Sequence, residues 1–106
     1  IVGRVKDMII RGGVNIYPSE IEHLLNQHES VLDASVVAWP SKEHGEEVAA
    51  FVIKNKEILE SELISFLKKY LAPYKVPKQI FFIDDLPKSA QGKVLKNELS
   101  NTLPKI

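Results

Sequence analysis

Six consecutive apolar residues, Val48-Ala49-Ala50-Phe51-Val52-Ile53, constrain the fold of this chain more than any other feature. The run is far too short for a bilayer span, which takes about 20 residues. It does not alternate apolar with polar positions, so as a strand it has to be covered on both faces. A chain of 106 residues can build one modest core around such a strand. With 44% hydrophobic and 26% charged residues it has the composition of a globular domain rather than a disordered segment.

The absence of cysteine excludes a disulfide framework, a thiolate metal site and a thiol nucleophile. It sits easily with a reducing compartment, and a cytoplasmic location is the expectation. Lys and Arg total 14 and Asp and Glu total 14, leaving no net charge. A dedicated nucleic-acid binder normally carries a basic excess, so no nucleic-acid partner is expected. No charged-then-apolar leader opens the chain. It opens on Ile1-Val2 rather than Met, as expected of a piece of something longer.

Around the central run the sequence reads as alternating short elements. Val5 to Tyr17 predicts a β-hairpin turning at Gly12-Gly13. Pro18 suits a first helical position, with Glu20 and Glu22 in the positive first turns. Ile21, Leu24 and Leu25 form one stripe of that helix, which ends near Asn26 to His28. A strand follows over Val31 to Trp39, closed by Pro40, then a polar loop from Ser41 to Glu47. A second helix is expected from Glu60 to Leu71, with Leu63, Phe66, Leu67, Tyr70 and Leu71 on its apolar side. Pro73 and Pro77 stop it. Gln79 to Ile83 is a strand, Leu86 to Gly92 a loop, and Val94, Leu95 and Leu99 mark a short closing helix. The order ββαββαβα predicts an α+β fold: a small mixed β-sheet with flanking helices plus an N-terminal β-hairpin.

Self-contained catalytic sites are not visible. Neither phosphate-loop nor dinucleotide glycine motifs occur. Glu20 and His23 have the i, i+3 spacing of a di-metal bundle ligand pair, but one copy without a second set is a solvated helix face, and no metal site is expected. Trp39 ends an apolar strand and is most simply core. Two polar, glycine-bearing, lysine-rich loops stand out, Gly3 to Gly13 and Leu86 to Lys93. A lysine directly after a glycine on such a loop can reach an anion that the backbone also approaches closely. It can equally start the last helix and point into water.

Those two loops carry a resemblance. Gly3-Arg4-Val5-Lys6-Asp7-Met8-Ile9-Ile10-Arg11-Gly12-Gly13-Val14-Asn15-Ile16-Tyr17-Pro18-Ser19-Glu20-Ile21-Glu22 is similar to the signature that opens the C-terminal domain of adenylate-forming enzymes. That superfamily contains acyl-CoA synthetases, nonribosomal peptide adenylation domains and firefly luciferase. Pro87-Lys88-Ser89-Ala90-Gln91-Gly92-Lys93-Val94-Leu95-Lys96 resembles its closing signature, and Leu71-Ala72-Pro73-Tyr74-Lys75-Val76-Pro77 a segment between them. The resemblance covers essentially the whole chain and is most like a bacterial-type fatty-acid–CoA ligase.

The resemblance implies residues 1–7 as a hinge segment from a missing N-terminal domain and 8–106 as a mobile lid, inactive alone. It implies a two-step reaction using ATP, Mg²⁺ and CoA in the full-length enzyme, none of them held by this piece alone. A carboxylic acid first attacks the α-phosphate of ATP; after the lid rotates, a thiol takes the acyl group. Lys93 matches the catalytic lysine of the first step and Lys6 the hinge. Gly12 and Gly13 match a hairpin that lines the pantetheine channel in the second. His44, Tyr74, Lys75 and Lys78 fall where some relatives contact the nucleotide end of CoA, although His44 and Val76 depart from the Trp and Arg found there. The N-terminal domain, a carboxylic acid, ATP and CoA are the expected partners. The alternatives are an adenylation domain charging a carrier-protein phosphopantetheine, and a small non-enzymatic α+β interaction or RNA-binding module.

Overall fold

A computed structural model describes residues 8–43 and 45–104. The chain first forms a hairpin of β1 (Ile9–Arg11) and β2 (Val14–Ile16), paired in register Ile9 to Ile16 and Arg11 to Val14. Only two residues join these strands. Gly12 and Gly13 both take positive φ, 56° and 85°, the conformation a two-residue turn of this hand requires and a Cβ disfavours. Pro18 then supplies the first residue of α1 (Pro18–Asn26), whose Ile21 and Leu25 are fully buried.

The main sheet runs β3 (Val31–Ser41), β4 (Gly45–Lys54), β5 (Gln79–Phe82), antiparallel and then parallel. The parallel pair needs a crossover, which α2 (Glu60–Lys68) and a 3₁₀ turn (Pro73–Lys75) provide. The central run behaves as its lack of alternation demands. Val48, Ala50 and Val52 pack with Ile21 and Leu25 of α1, Leu63 and Leu67 of α2, and Ile80. Ala49 and Phe51 pack with Val37, Trp39, Leu86 and Leu99, the last from α3 (Lys96–Asn101). Trp39 is core, as expected. It is 2% exposed, its ring lies 5.5 Å from that of Phe81, and its Nε1 donates to the Pro104 carbonyl at 2.7 Å.

Both outer strands are closed by glutamates carried on helices. The Glu22 carboxylate of α1 accepts the Val36 N–H of β3 at 2.8 Å, and that of Glu60 at the start of α2 accepts the Ile80 N–H of β5 at 2.8 Å. Edge strands otherwise present unpaired donors to any passing strand.

Three sequence expectations are corrected. Pro40 does not close β3: it pairs with Glu46 and Ser41 with Gly45, so strand pairing extends into the expected Ser41–Glu47 loop. β3 is an edge strand, where a missing donor is tolerated. Tyr70 is not on the apolar side of a longer second helix. α2 stops at Lys68 and tightens into i to i−3 bonds, Lys69 to Phe66 and Tyr70 to Leu67, which leaves Tyr70 exposed while Leu71 remains buried. Val94 and Leu95 precede the closing helix instead of starting it, because Val94 is bridged to Lys88. The predicted element order stands.

Among the described residues, one buried side-chain polar atom has no partner. Ser35, opposite Phe51 on β3, is fully buried and its Oγ has no hydrogen bond. Ser35→Ala removes a desolvated hydroxyl without opening a sizeable cavity, and is expected to stabilise the chain by about 1 kcal/mol. Urea unfolding should show a higher midpoint at unchanged slope; a lower midpoint contradicts the assignment.

Candidate functional site

The segment around Lys93 is a second tight hairpin, and its sequence explains its shape. Ser89 N–H donates to the Lys93 carbonyl at 2.8 Å and Gly92 N–H to the Ser89 carbonyl at 2.9 Å. Three residues, Ala90-Gln91-Gly92, thus span the turn, with Gly92 at φ 84° in its left-handed position. The Ser89 hydroxyl oxygen accepts from the N–H groups of Gln91 and Lys93, each at 3.3 Å. Below the tip, Lys88 is bridged to Val94 and Leu95 N–H donates to the Pro87 carbonyl at 2.8 Å. Buried Leu86 and Leu99 anchor the two ends in the core. Lys93 is therefore an exposed ammonium on a backbone held at several points. It lines a cleft of about 650 Å³ together with Glu22, Val94, Leu95, Lys96, Asn97 and Glu98.

The Gly12-Gly13 hairpin is held by a different set of contacts. Glu46 accepts the Ile10 N–H at 2.8 Å, and Arg11 Nε donates to Glu47 at 2.7 Å, with Glu47 almost wholly buried. A Cβ built on Gly13 meets no atom within 4 Å among the described residues, so what restricts this position inside the chain is its backbone angle. Outward from this hairpin Ile10, Val14 and Tyr17 are exposed.

The third group of candidates is only partly assembled. Tyr74 and Lys75 share the 3₁₀ turn, and Lys78 follows at the head of β5, its N–H donating to the Val48 carbonyl at 2.8 Å. Tyr74 and Lys78 are exposed. Lys75 is already engaged: its Nζ lies 3.0 Å from Glu20 of α1. The hydrogen bond to Glu20 holds this ammonium above its ordinary pKa. Folding therefore favours the protonated form at neutral pH, and that contribution disappears as pH rises past the raised value. His44 and Lys6 lie outside the described residues. His23 is exposed and bonded to Gln27, as a solvated helix face predicts.

Several organising residues were not legible as such. Glu22 accepts Val36 N–H and also meets Lys96 Nζ at 3.0 Å, and Glu46 and Glu47 clamp the first hairpin. Each joins positions far apart in sequence, and no local motif marks them. Among the described residues no group of three or more His, Asp or Glu could hold a metal ion. No helix among them is long and apolar enough to cross a membrane.

Residues 20–93 match the family described as the AMP-binding enzyme C-terminal domain. This chain belongs to that family. It is 45% identical over 107 residues to a long-chain-fatty-acid–CoA ligase of Yersinia pestis, covering 100% of this chain and 19% of the relative. It is 43% identical over 99 residues to a 2-succinylbenzoate–CoA ligase of Bacillus mycoides, covering 93% of this chain and 21% of the relative. The crystal structure of ATP-bound MatB from Rhodopseudomonas palustris superposes with a TM-score of 0.89 at 39% identity, covering 94% of this chain and 20% of that one. The chain thus spans about a fifth of the length of the relatives it matches, and its fold is that of the family's C-terminal domain.

Proposed function

We propose that this chain is the mobile lid, residues 8–106, of an ATP-dependent, AMP-forming acid–CoA ligase, joined to an N-terminal domain through residues 1–7. The observation that carries the reading is Lys93: an exposed ammonium on a braced hairpin, at the end of the segment that matches the family. In the first step a substrate carboxylate oxygen bonds to the α-phosphorus of ATP, and the bond to pyrophosphate breaks with the electron pair leaving on pyrophosphate. Negative charge accumulates between the two reactants, and a fixed ammonium there stabilises it most where water is excluded. The turn geometry around Gly92 lets the backbone come close without a Cβ in the way.

In the second step the lid rotates about Lys6 and the Gly12-Gly13 hairpin lines the channel for the thiol. The thiol sulfur attacks the acyl carbon, its proton is lost, and AMP departs. Tyr74, Lys75 and Lys78, with His44, would face the nucleotide end of CoA; Lys75 would have to share its charge with Glu20. The relatives compared act on different acids, as their names state, and both are CoA ligases, which supports CoA over a carrier protein as acceptor. Family membership supports an enzyme lid over a non-enzymatic interaction or RNA-binding module.

The test is to measure the two half-reactions separately on the full-length enzyme. Lys6→Pro fixes φ near −65° and removes a donor at the pivot. Adenylation, followed by pyrophosphate exchange, is expected to survive while thioester formation collapses. Turnover near wild type would show that the lid swings elsewhere.

A further inference from the structure

The cleft below Lys93 is lined by two lysines and two glutamates, Glu22 and Glu98. Lys93 and Lys96 both line it, as does Glu22. Glu22 is fixed in place by the backbone of β3, since its carboxylate accepts the Val36 N–H at 2.8 Å. It takes Lys96, at 3.0 Å, with side-chain exposures of 29% for Lys96 and 22% for Glu22. Among the described residues Lys93 has no ion-pair partner. Lys96 is also the first residue of α3, where a positive charge opposes the helix dipole. Its placement gains nothing for that helix but brings its ammonium to Glu22.

Resting on the catalytic reading of Lys93, we propose that Lys96 is a positioning residue that occupies Glu22 and so leaves the Lys93 ammonium available to substrate. Two residues, Val94 and Leu95, separate the two lysines, and a half-buried carboxylate attracts a nearby ammonium more strongly than a fully solvated one does. Without Lys96, Glu22 becomes an uncompensated charge in the wall of a cleft that Lys93 also lines. Arginine can replace Lys96 in this role, because it also carries a permanent charge with donors to reach the carboxylate.

The experiment uses the full-length enzyme and measures both half-reactions. Lys96→Met is expected to lower kcat for adenylate formation by about 10–10²-fold, the scale of a misplaced catalytic group, with the KM for ATP and thioester formation from supplied acyl-adenylate unchanged. Lys96→Arg should retain the rate. The decisive variant is Lys96→Met combined with Glu22→Gln. Gln keeps an acceptor for Val36 but removes the competing charge, so adenylation should recover to within about threefold of wild type, a coupling that independent sites do not show. A purely structural pair would also recover in the double variant, but its Lys96→Met loss would fall equally on adenylation and on thioester formation, because an uncompensated buried charge then weakens the whole fold. Absence of rescue, or equal loss in both half-reactions, overturns the proposal. Lys93→Ala is the control: if it leaves adenylation intact, the catalytic reading of Lys93 fails, and the failure is located there rather than in the pair.

Discussion

Lys93→Ala in the full-length enzyme is expected to reduce acyl-adenylate formation by about 10²–10³-fold, the usual cost of removing one preorganised charge from a transition state. Thioester formation from supplied acyl-adenylate should be spared, since the second step calls on the other hairpin. The separation is testable because the Lys93 side chain makes no hydrogen bond or ion pair among the described residues. It is exposed, and its backbone bonds to Ser89 persist in alanine. Melting temperature should therefore hardly move. Equal losses in the two half-reactions would make Lys93 a structural residue and remove the foundation of the proposed mechanism.

Trp39→Ala is expected to have the largest effect on stability, about 3–5 kcal/mol, much of the 5–15 kcal/mol typical of a whole domain. Trp39, on β3, belongs to the second core face, against which the segment that carries the Lys93 hairpin packs. Its neighbours Leu86 and Leu99 anchor the two ends of that segment. Its indole N–H also holds the Pro104 carbonyl, so alanine removes packing and leaves that acceptor without its donor. Denaturant unfolding of the 106-residue chain measures the loss. Trp39→Phe keeps most of the ring packing and should fall between the two. A cost for alanine below about 1 kcal/mol would mean that the face can collapse around the gap.

The two hairpins were not equally legible. Arg11-Gly12-Gly13-Val14 announces its turn, because two positive φ angles in succession call for glycine. Ser89-Ala90-Gln91-Gly92-Lys93 reads as a loop before a helix, and only the Lys88–Val94 bridge shows that Val94 belongs to the hairpin. The apolar residues Val94 and Leu95 would suit either element. What chose between them was packing of the whole segment against the second face of the sheet, to which Val94 contributes.

By itself the sequence determined the element order, the doubly covered central strand, the core position of Trp39, the placement of Lys93 beside a glycine turn, and through three matched segments the family. These are local properties: periodicity, turn chemistry and short motifs act within a few residues of one another. Tertiary structure alone decided which charges meet. Glu22 closes the edge of β3 and takes Lys96, Glu47 takes Arg11, and Glu20 takes Lys75, across separations of 36 to 74 residues. A glutamate on a helix face looks the same in sequence whether it meets water or a strand edge. Its role is fixed when the sheet and helices pack, because burial then lowers the local dielectric and makes an unmatched charge costly.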